Sequence, residues 1–196
     1  IPKNQAFQIA INTNYFEPYL KLFDKKITGF NEISFTGNID TKKNKLGFET
    51  SLPYGKYDKF IVSGAAIKGI GNKDTLDIHG DIGSIQISDS IHFPNTHFQV
   101  TAMNDHSIVS VKTNTDNPFN NATLFADVYT YQDGAGIRLR PSSFVLNEKK
   151  WNIENAGELS IRNNIIEAKN LQFTQGFQEI RVESIPAGSL NNLEVS

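Results

Sequence analysis

The chain contains no cysteine, and only one methionine and one tryptophan, in 196 residues. The absence of cysteine excludes disulfides, thiolate metal sites, iron–sulfur clusters and cysteine nucleophiles. It does not identify the compartment, because a cysteine-free chain suits a reducing and an oxidising environment alike. A membrane-spanning helix requires about 18 consecutive apolar residues, and no apolar run in the sequence is that long.

Neither sign of charge dominates. Nineteen Lys and Arg residues against 21 Asp and Glu residues leave a net charge of -2. The longest basic groups, Lys42-Lys43-x-Lys45 and Lys149-Lys150, are too small to predict a nucleic-acid-binding surface. Hydrophobic residues make up 38% of the chain, which together with glycine is enough for a packed fold. We therefore expect one ordered domain over residues 1–196.

One segment has helical periodicity. Large apolar side chains recur there at i, i+3, i+4, i+7 and i+11, namely Phe16, Tyr19, Leu20, Phe23 and Ile27. This spacing predicts a short amphipathic helix over about residues 15–27. Asn14 is the expected N-cap and Glu17 its capping-box partner, and Gly29 is expected to follow the helix end.

From about residue 31 to residue 184, apolar and polar residues alternate with period two, and Asn, Asp or Gly interrupts the alternation about every 8 to 12 residues. This pattern predicts an all-β body of hairpin-connected antiparallel strands. After Gly83 the apolar positions change from even to odd numbers, so we expect a kink at Gly83 that keeps one face apolar. The pattern leaves three ways to cover the apolar faces: a sandwich, a closed barrel, or a sheet curled over on itself.

Few residues point to catalysis or metal binding. His79, His92, His97 and His106 lack paired ligand spacing, so no metal is predicted. Asp77, Asp81 and Asp89 resemble a calcium-binding cluster, but residues four apart on a strand lie about 13 Å apart, too far to share a calcium ion. No G-x-S-x-G motif is present, and no cofactor is predicted.

Two alternatives use the remaining side chains. Trp151, Tyr129 and Tyr131 could stack on sugar rings, which suggests a glycan-binding β-sandwich or β-helix as a surface module. Asp77, His79 and Asp81 could serve a β-helical polysaccharide-processing enzyme, which we consider the weakest hypothesis.

Two stretches resemble one protein family. Residues 15–23, Ile27-Thr28-Gly29 and residues 33–39 together resemble the "short helix, I-x-G, x-φ-x-φ-x-G-x-φ" unit of the TamB and AsmA-like family of envelope proteins. Residues 141–153 resemble the "S-x-φ-x-φ-N-x-x-x-W-x-I" segment of TamB-type proteins, and residues 178–183 resemble the strand that follows it.

The resemblance implies a non-enzymatic periplasmic protein of the cell envelope, with an inner-membrane anchor in a longer parent chain of which this sequence is a fragment. Its antiparallel sheet would curl into an open, U-shaped groove (a "β-taco") that shields lipid acyl chains as they pass between membranes. The resemblance also implies a role in outer-membrane assembly beside a BamA-like barrel partner.

In such a groove, the in-register apolar side chains are the expected lipid-binding lining. They are Ile33, Phe35, Phe48, Val62, Ile78, Ile82, Ile85, Ile87, Val100, Val111, Leu124, Val128, Phe144, Leu146, Ile153, Leu159, Ile161, Phe173, Ile180 and Val182. The alternative is that they pack against one another in a closed sandwich. Edge strands near Phe7 to Ile11 or Ile180 to Ser184 are expected to be unpaired and to pair between copies of the chain.

Overall fold

The computed structural model describes residues 4–88, 91–113, 121–146, 148–154, 157–162, 165–187 and 190–195. The chain is all-β, with almost no helix, and its strands join one large antiparallel sheet. The strands are β1 (Ala6–Asn12), β2 (Ile27–Gly29), β3 (Ser34–Asp40), β4 (Lys45–Tyr57), β5 (Phe60–Gly71), β6 (Thr75–Ser88), β7 (Ile91–Met103), β8 (His106–Thr113), β9 (Ala122–Tyr131), β10 (Gly134–Leu139), β11 (Ser142–Leu146), β12 (Lys149–Ile153), β13 (Glu158–Arg162), β14 (Ile165–Lys169), β15 (Leu171–Gln175), β16 (Gln178–Ala187) and β17 (Leu190–Val195). The one helix of the described chain, α1, spans Glu17–Leu20.

Each described pairing is antiparallel, as the predicted succession of hairpins requires, and this excludes the parallel β-helix. The chain divides into two compact units, and β1 to β7 lie in the first apart from the end of β7. In the first unit, β1 pairs with β3, β3 with β4, β4 with β5 and β5 with β6, while β2 pairs with the far end of β4. The one-domain assignment over residues 1–196 stays a prediction.

The second unit contains β8, apart from its last residue, and β9 to β17, and several of these strands form collinear pairs. β9 pairs with both β10 and β11, so these two form one long strand interrupted at Arg140-Pro141. The next strands are arranged in the same way. β13 pairs with β10 and β12 with β11. On their other sides, β13 pairs with β14 and β12 with β15. β16 then pairs with β15 and with β17.

The predicted helix over about residues 15–27 is wrong in length, because α1 has four residues. Ile27 belongs to β2 instead, where its backbone pairs with Tyr57 of β4. Much of the predicted apolar stripe is exposed: Tyr19 is 61% and Phe23 is 87% exposed. No helix among the described residues is long and apolar enough to cross a membrane.

The predicted cap of α1 is also wrong. The side-chain oxygen of Asn31, not Asn14, accepts the backbone N–H groups of Phe16 and Glu17, at 2.9 and 3.0 Å. The Glu17 carboxylate accepts the N–H of Gly29 at 2.7 Å instead of completing a capping box. Contacts from the following segment therefore fix this short helix.

One of the two predicted sheet edges is misplaced. Ile180 to Ser184 lie inside β16, which is paired on one side with β15 and on the other with β17. β1, which contains Phe7 to Ile11, has β3 as its described partner and is exposed along its whole length. Pairing of β1 between copies of the chain stays a prediction.

Candidate functional site

The first unit has one apolar face, which we define by strand register. Directly opposed residues of neighbouring strands point to the same side of a sheet. One row runs from Ile9 through Gly37, Phe48 and Gly69 to Ile78. The row on one side of it contains Phe7, Ile39, Leu46, Gly71 and Leu76. The row on the other side contains Ile11, Phe35, Thr50, Ile67 and Gly80.

The strand β7 continues this apolar face. The Phe98 ring occupies the position that a Cβ atom on Gly80 would take, so Phe98 points to the side of Ile78 and Ile82. Val100, two residues further along β7, points the same way. The Phe48 ring likewise lies over Gly69. Glycines therefore let these large rings lie along the sheet.

A kink keeps the face apolar beyond Ile82, as the sequence predicts, but its unusual backbone angle lies on the neighbouring strand. Gly64 of β5 has φ +63°, and a Cβ atom built on it would lie 3.7 Å from the backbone nitrogen of Gly83 on β6.

Contacts of Gly55 on β4 show which residues continue the apolar face beyond this kink. A Cβ built on Gly55 would lie 3.1 Å from the Leu52 side chain, which places Gly55 on the face of Leu52. Because Gly55 is opposed to Val62, and Val62 to Ile85, the face continues through those residues.

The apolar face of the first unit therefore brings together eight of the nine lining positions predicted there: Phe35, Phe48, Val62, Ile78, Ile82, Ile85, Ile87 and Val100. The ninth, Ile33, lies just before β3 and is half-buried. None of these side chains is fully buried, and Ile87 is 46% exposed. Among the described residues of the first unit, Ala65 is the one hydrophobic side chain that is fully buried. This face is therefore only partly covered.

The second unit also has one apolar face. Val111 is opposed to Leu124, and a row joins Val128, Ile137, Leu159 and Ala168. The register shifts by one residue at Arg140-Pro141, so Phe144 of β11 is opposed to Ala122, on the same side as Leu124. Without that shift, the apolar residues of β11 would point to the opposite side.

The lining positions predicted in the second unit share this face: Val111, Leu124, Val128, Phe144, Ile153, Leu159, Ile161, Phe173, Ile180 and Val182. The side chain of Leu146 lies outside the described residues. Phe144 and Phe173 make an edge-to-face contact with ring centres 6.0 Å apart. Coverage is uneven, since Ile153 is 3% exposed and Ile161 is 47% exposed.

The opposite face of the first unit is polar. Lys68 and Glu49 form an ion pair of 2.6 Å across β5 and β4. Thr101 donates a hydrogen bond of 2.8 Å to Asp77, and His97 contacts the Asp81 carboxylate. Two of the three residues of the enzyme hypothesis thus already have partners on β7.

A metal site is equally unsupported in the described part of the chain. No group of three His, Asp or Glu side chains there is close enough to hold a metal ion. Asp89, the third residue of the calcium pattern considered above, lies outside the described residues.

The polar face of the second unit contains a carboxylate that the sequence analysis missed. Asp127 is 6% exposed and accepts hydrogen bonds from Arg140 Nε at 2.6 Å and Arg140 Nη2 at 2.5 Å. His106 Nε2 lies 2.8 Å from the same carboxylate. The hydrogen bonds from Arg140 lower the pKa of Asp127 to about 2. An aspartate inside a strand of apolar and aromatic residues is uncommon and could have indicated a partner.

The aromatic residues of the glycan hypothesis do not form one platform. Tyr129 is opposed to Gly136 and Tyr131 to Gly134, on the polar face with Asp127. Arg138 and Arg162 lie over these two rings, at 5.6 and 4.7 Å from the ring centres. Trp151 is opposed to Phe144 and so belongs to the apolar face.

Comparisons with known proteins add no relative to this picture. No family model, no curated protein and no solved structure matches the chain. The resemblance to the TamB and AsmA-like family therefore stays a prediction.

Proposed function

We propose that this chain holds lipid acyl chains on its apolar faces, as part of an open, U-shaped groove that shelters or conducts lipid. One observation supports this most directly. In each unit, strand register gathers the predicted lining side chains on one face, while most of them stay only partly buried. A partly covered apolar face of this extent is typical of a surface that receives an apolar guest.

The energetics of such a groove do not require specific polar contacts. Each methylene that leaves water contributes about 0.8 kcal/mol. A sixteen-carbon chain would gain about 12 kcal/mol before the cost of ordering the lipid is subtracted. Side chains such as Phe48, Ile78 and Val62 offer the apolar area for this contact, and the Lys68–Glu49 ion pair lies on the other face.

The wider setting of the proposal comes from the resemblance to the TamB and AsmA-like family, which rests on residues 15–23, 27–29, 33–39, 141–153 and 178–183. It places the protein in the periplasm, with an inner-membrane anchor in the parent chain, and gives it a part in outer-membrane assembly with a BamA-like barrel partner. The proposed activity is passive, so no catalytic residue and no cofactor belongs to it.

Native mass spectrometry of the purified chain tests the proposal. We expect adducts with the mass of acyl lipids, which disappear on extraction with organic solvent. The stripped protein should then bind a fluorescent fatty acid and show an adduct of that mass. A chain that carries no lipid and does not bind the fatty acid would contradict the proposal. Thermal stabilisation by glycans instead of lipids would favour the surface-module alternative.

A further inference from the structure

A cavity of about 520 Å³ lies at one end of the first unit, where the turn between β3 and β4 meets the turn between β5 and β6. Its apolar lining comes from Ile39 and Leu46, which are opposed to each other across β3 and β4. Ile39 is also opposed to Phe7 of β1. These side chains form the last row of the apolar face, so the cavity opens at the end of that face.

Basic side chains surround the same cavity. Lys42, Lys45 and Lys73 line it, and all three are exposed. Neither Lys42 nor Lys45 has an ion-pair partner among the described residues, and Lys73 reaches Asp74 only at 3.8 Å. This local excess of positive charge contrasts with the net charge of -2 of the whole chain.

One acidic residue, Asp40, lines the cavity, and it is opposed to Lys45 across β3 and β4. Asp40 accepts the backbone N–H of Lys43 at 2.9 Å and pairs with the Lys43 ammonium at 3.5 Å. The turns are also joined, because the side-chain oxygen of Asn44 accepts the backbone N–H of Lys73 at 3.2 Å. Lys73 is thereby held beside Lys42 of the other turn and Lys45 at the start of β4.

We infer that this cavity binds the anionic, phosphate-bearing headgroup of an amphiphile, with the first methylenes of its acyl chain on Ile39 and Leu46. The inference rests on the proposed function and adds a headgroup preference to it. A cationic rim directly beside apolar side chains complements both parts of an anionic lipid. Lysine suits this role, because its stem packs along apolar surface while its ammonium reaches a phosphate.

Isothermal titration calorimetry with soluble short-chain lipids tests the inference. The probes are dioctanoyl phosphatidylglycerol, dioctanoyl phosphatidylcholine and inorganic phosphate, each at low and at high salt. We expect the chain to bind the anionic lipid roughly tenfold more tightly than the zwitterionic one at low salt. This difference should shrink at high salt, because exposed charges are screened.

The variants separate the lysine rim from general electrostatics. The triple variant K42Q/K45Q/K73Q should lose the preference for phosphatidylglycerol and keep its affinity for phosphatidylcholine. The matched control K25Q/K26Q/K59Q removes the same charge from the region of the β4–β5 turn and β2. It should keep the preference, and circular dichroism should show both variants folded.

Four outcomes would overturn the inference. Equal binding of the two lipids by the unaltered chain would leave acyl binding in place and remove the headgroup preference. Retention of the preference in K42Q/K45Q/K73Q would place the anion elsewhere, and inorganic phosphate binding as tightly as phosphatidylglycerol would indicate a bare anion site. Failure of both lipids to bind would contradict the proposed function itself.

Discussion

Asp127 shows how a single residue supports an interruption in the sheet. Arg140 lies at the break between β10 and β11, where the register with β9 shifts by one residue. Its guanidinium is held by both oxygens of the Asp127 carboxylate, and its backbone N–H donates to the carbonyl of Phe125 at 2.9 Å. The ion pair therefore stabilises the shift that keeps Phe144 on the apolar face.

Replacing Asp127 with Asn should destabilise the chain at neutral pH. The substitution keeps the size of the side chain but removes the charge from hydrogen bonds that Arg140 donates, which contribute about 1.5 to 3 kcal/mol. Urea unfolding at pH 7 measures this loss. The matched control E49Q removes an exposed ion pair with Lys68, for which we expect less than about 1 kcal/mol.

The stability that Asp127 provides should also depend on pH. Its pKa in the folded chain, about 2, is lower than the ordinary value of 3.8. The contribution is therefore complete above about pH 4 and is lost as the pH falls towards 2. The difference in unfolding free energy between the unaltered chain and D127N should shrink over that interval. A difference that stays constant down to pH 2 would show that the carboxylate charge is not its source.

At the scale of the element, the kink at Gly64 decides which residues of β5 and β6 reach the apolar face. The φ of +63° lies in the region that favours glycine, and no atom lies closer than 3.7 Å to a Cβ built there. The requirement at this position is therefore backbone conformation, not space.

Replacing Gly64 with Ala should cost about 1 to 2 kcal/mol of unfolding free energy, because a left-handed backbone is unfavourable for alanine. The larger Asn should cost less at the same position, because it adopts this conformation more readily. Thermal unfolding of G64A and G64N measures both losses. If alanine were tolerated better than asparagine, crowding and not backbone conformation would limit this position.

The same element shows what the sequence could predict. Period-two alternation is local, so it located the strands and assigned Val62, Ile78 and Ile85 to one face. The alternation also located the kink near Gly83. It could not show that the positive φ belongs to Gly64, because Gly64 comes to lie beside Gly83 only when β5 pairs with β6.

Features that depend on contacts between segments distant in the sequence could not be predicted. The helix prediction missed that Ile27 pairs with Tyr57 on β4. The rim of the cavity was equally hidden, because Lys45 and Lys73 come together only through the meeting of two turns.

At the scale of the whole molecule, the proposed function requires that the apolar faces stay accessible. Ile78 is a direct probe of the first unit, because it belongs to the apolar row that begins at Ile9, is opposed to Gly69, and is only partly buried. A charged side chain here would be tolerated in an open face, since a long arginine can direct its guanidinium to water. In a sealed core it would be severely destabilising.

Replacing Ile78 with Arg should therefore leave the chain folded and remove its bound lipid. Circular dichroism and native mass spectrometry of the same sample measure the two properties. His79→Arg is the matched control, because His79 is the next residue of β6, is exposed, and lies on the polar face opposed to Lys68. It should keep both fold and lipid. An unfolded I78R variant would indicate a closed sandwich, and a folded variant that retains its lipid would show that acyl chains do not lie on this face.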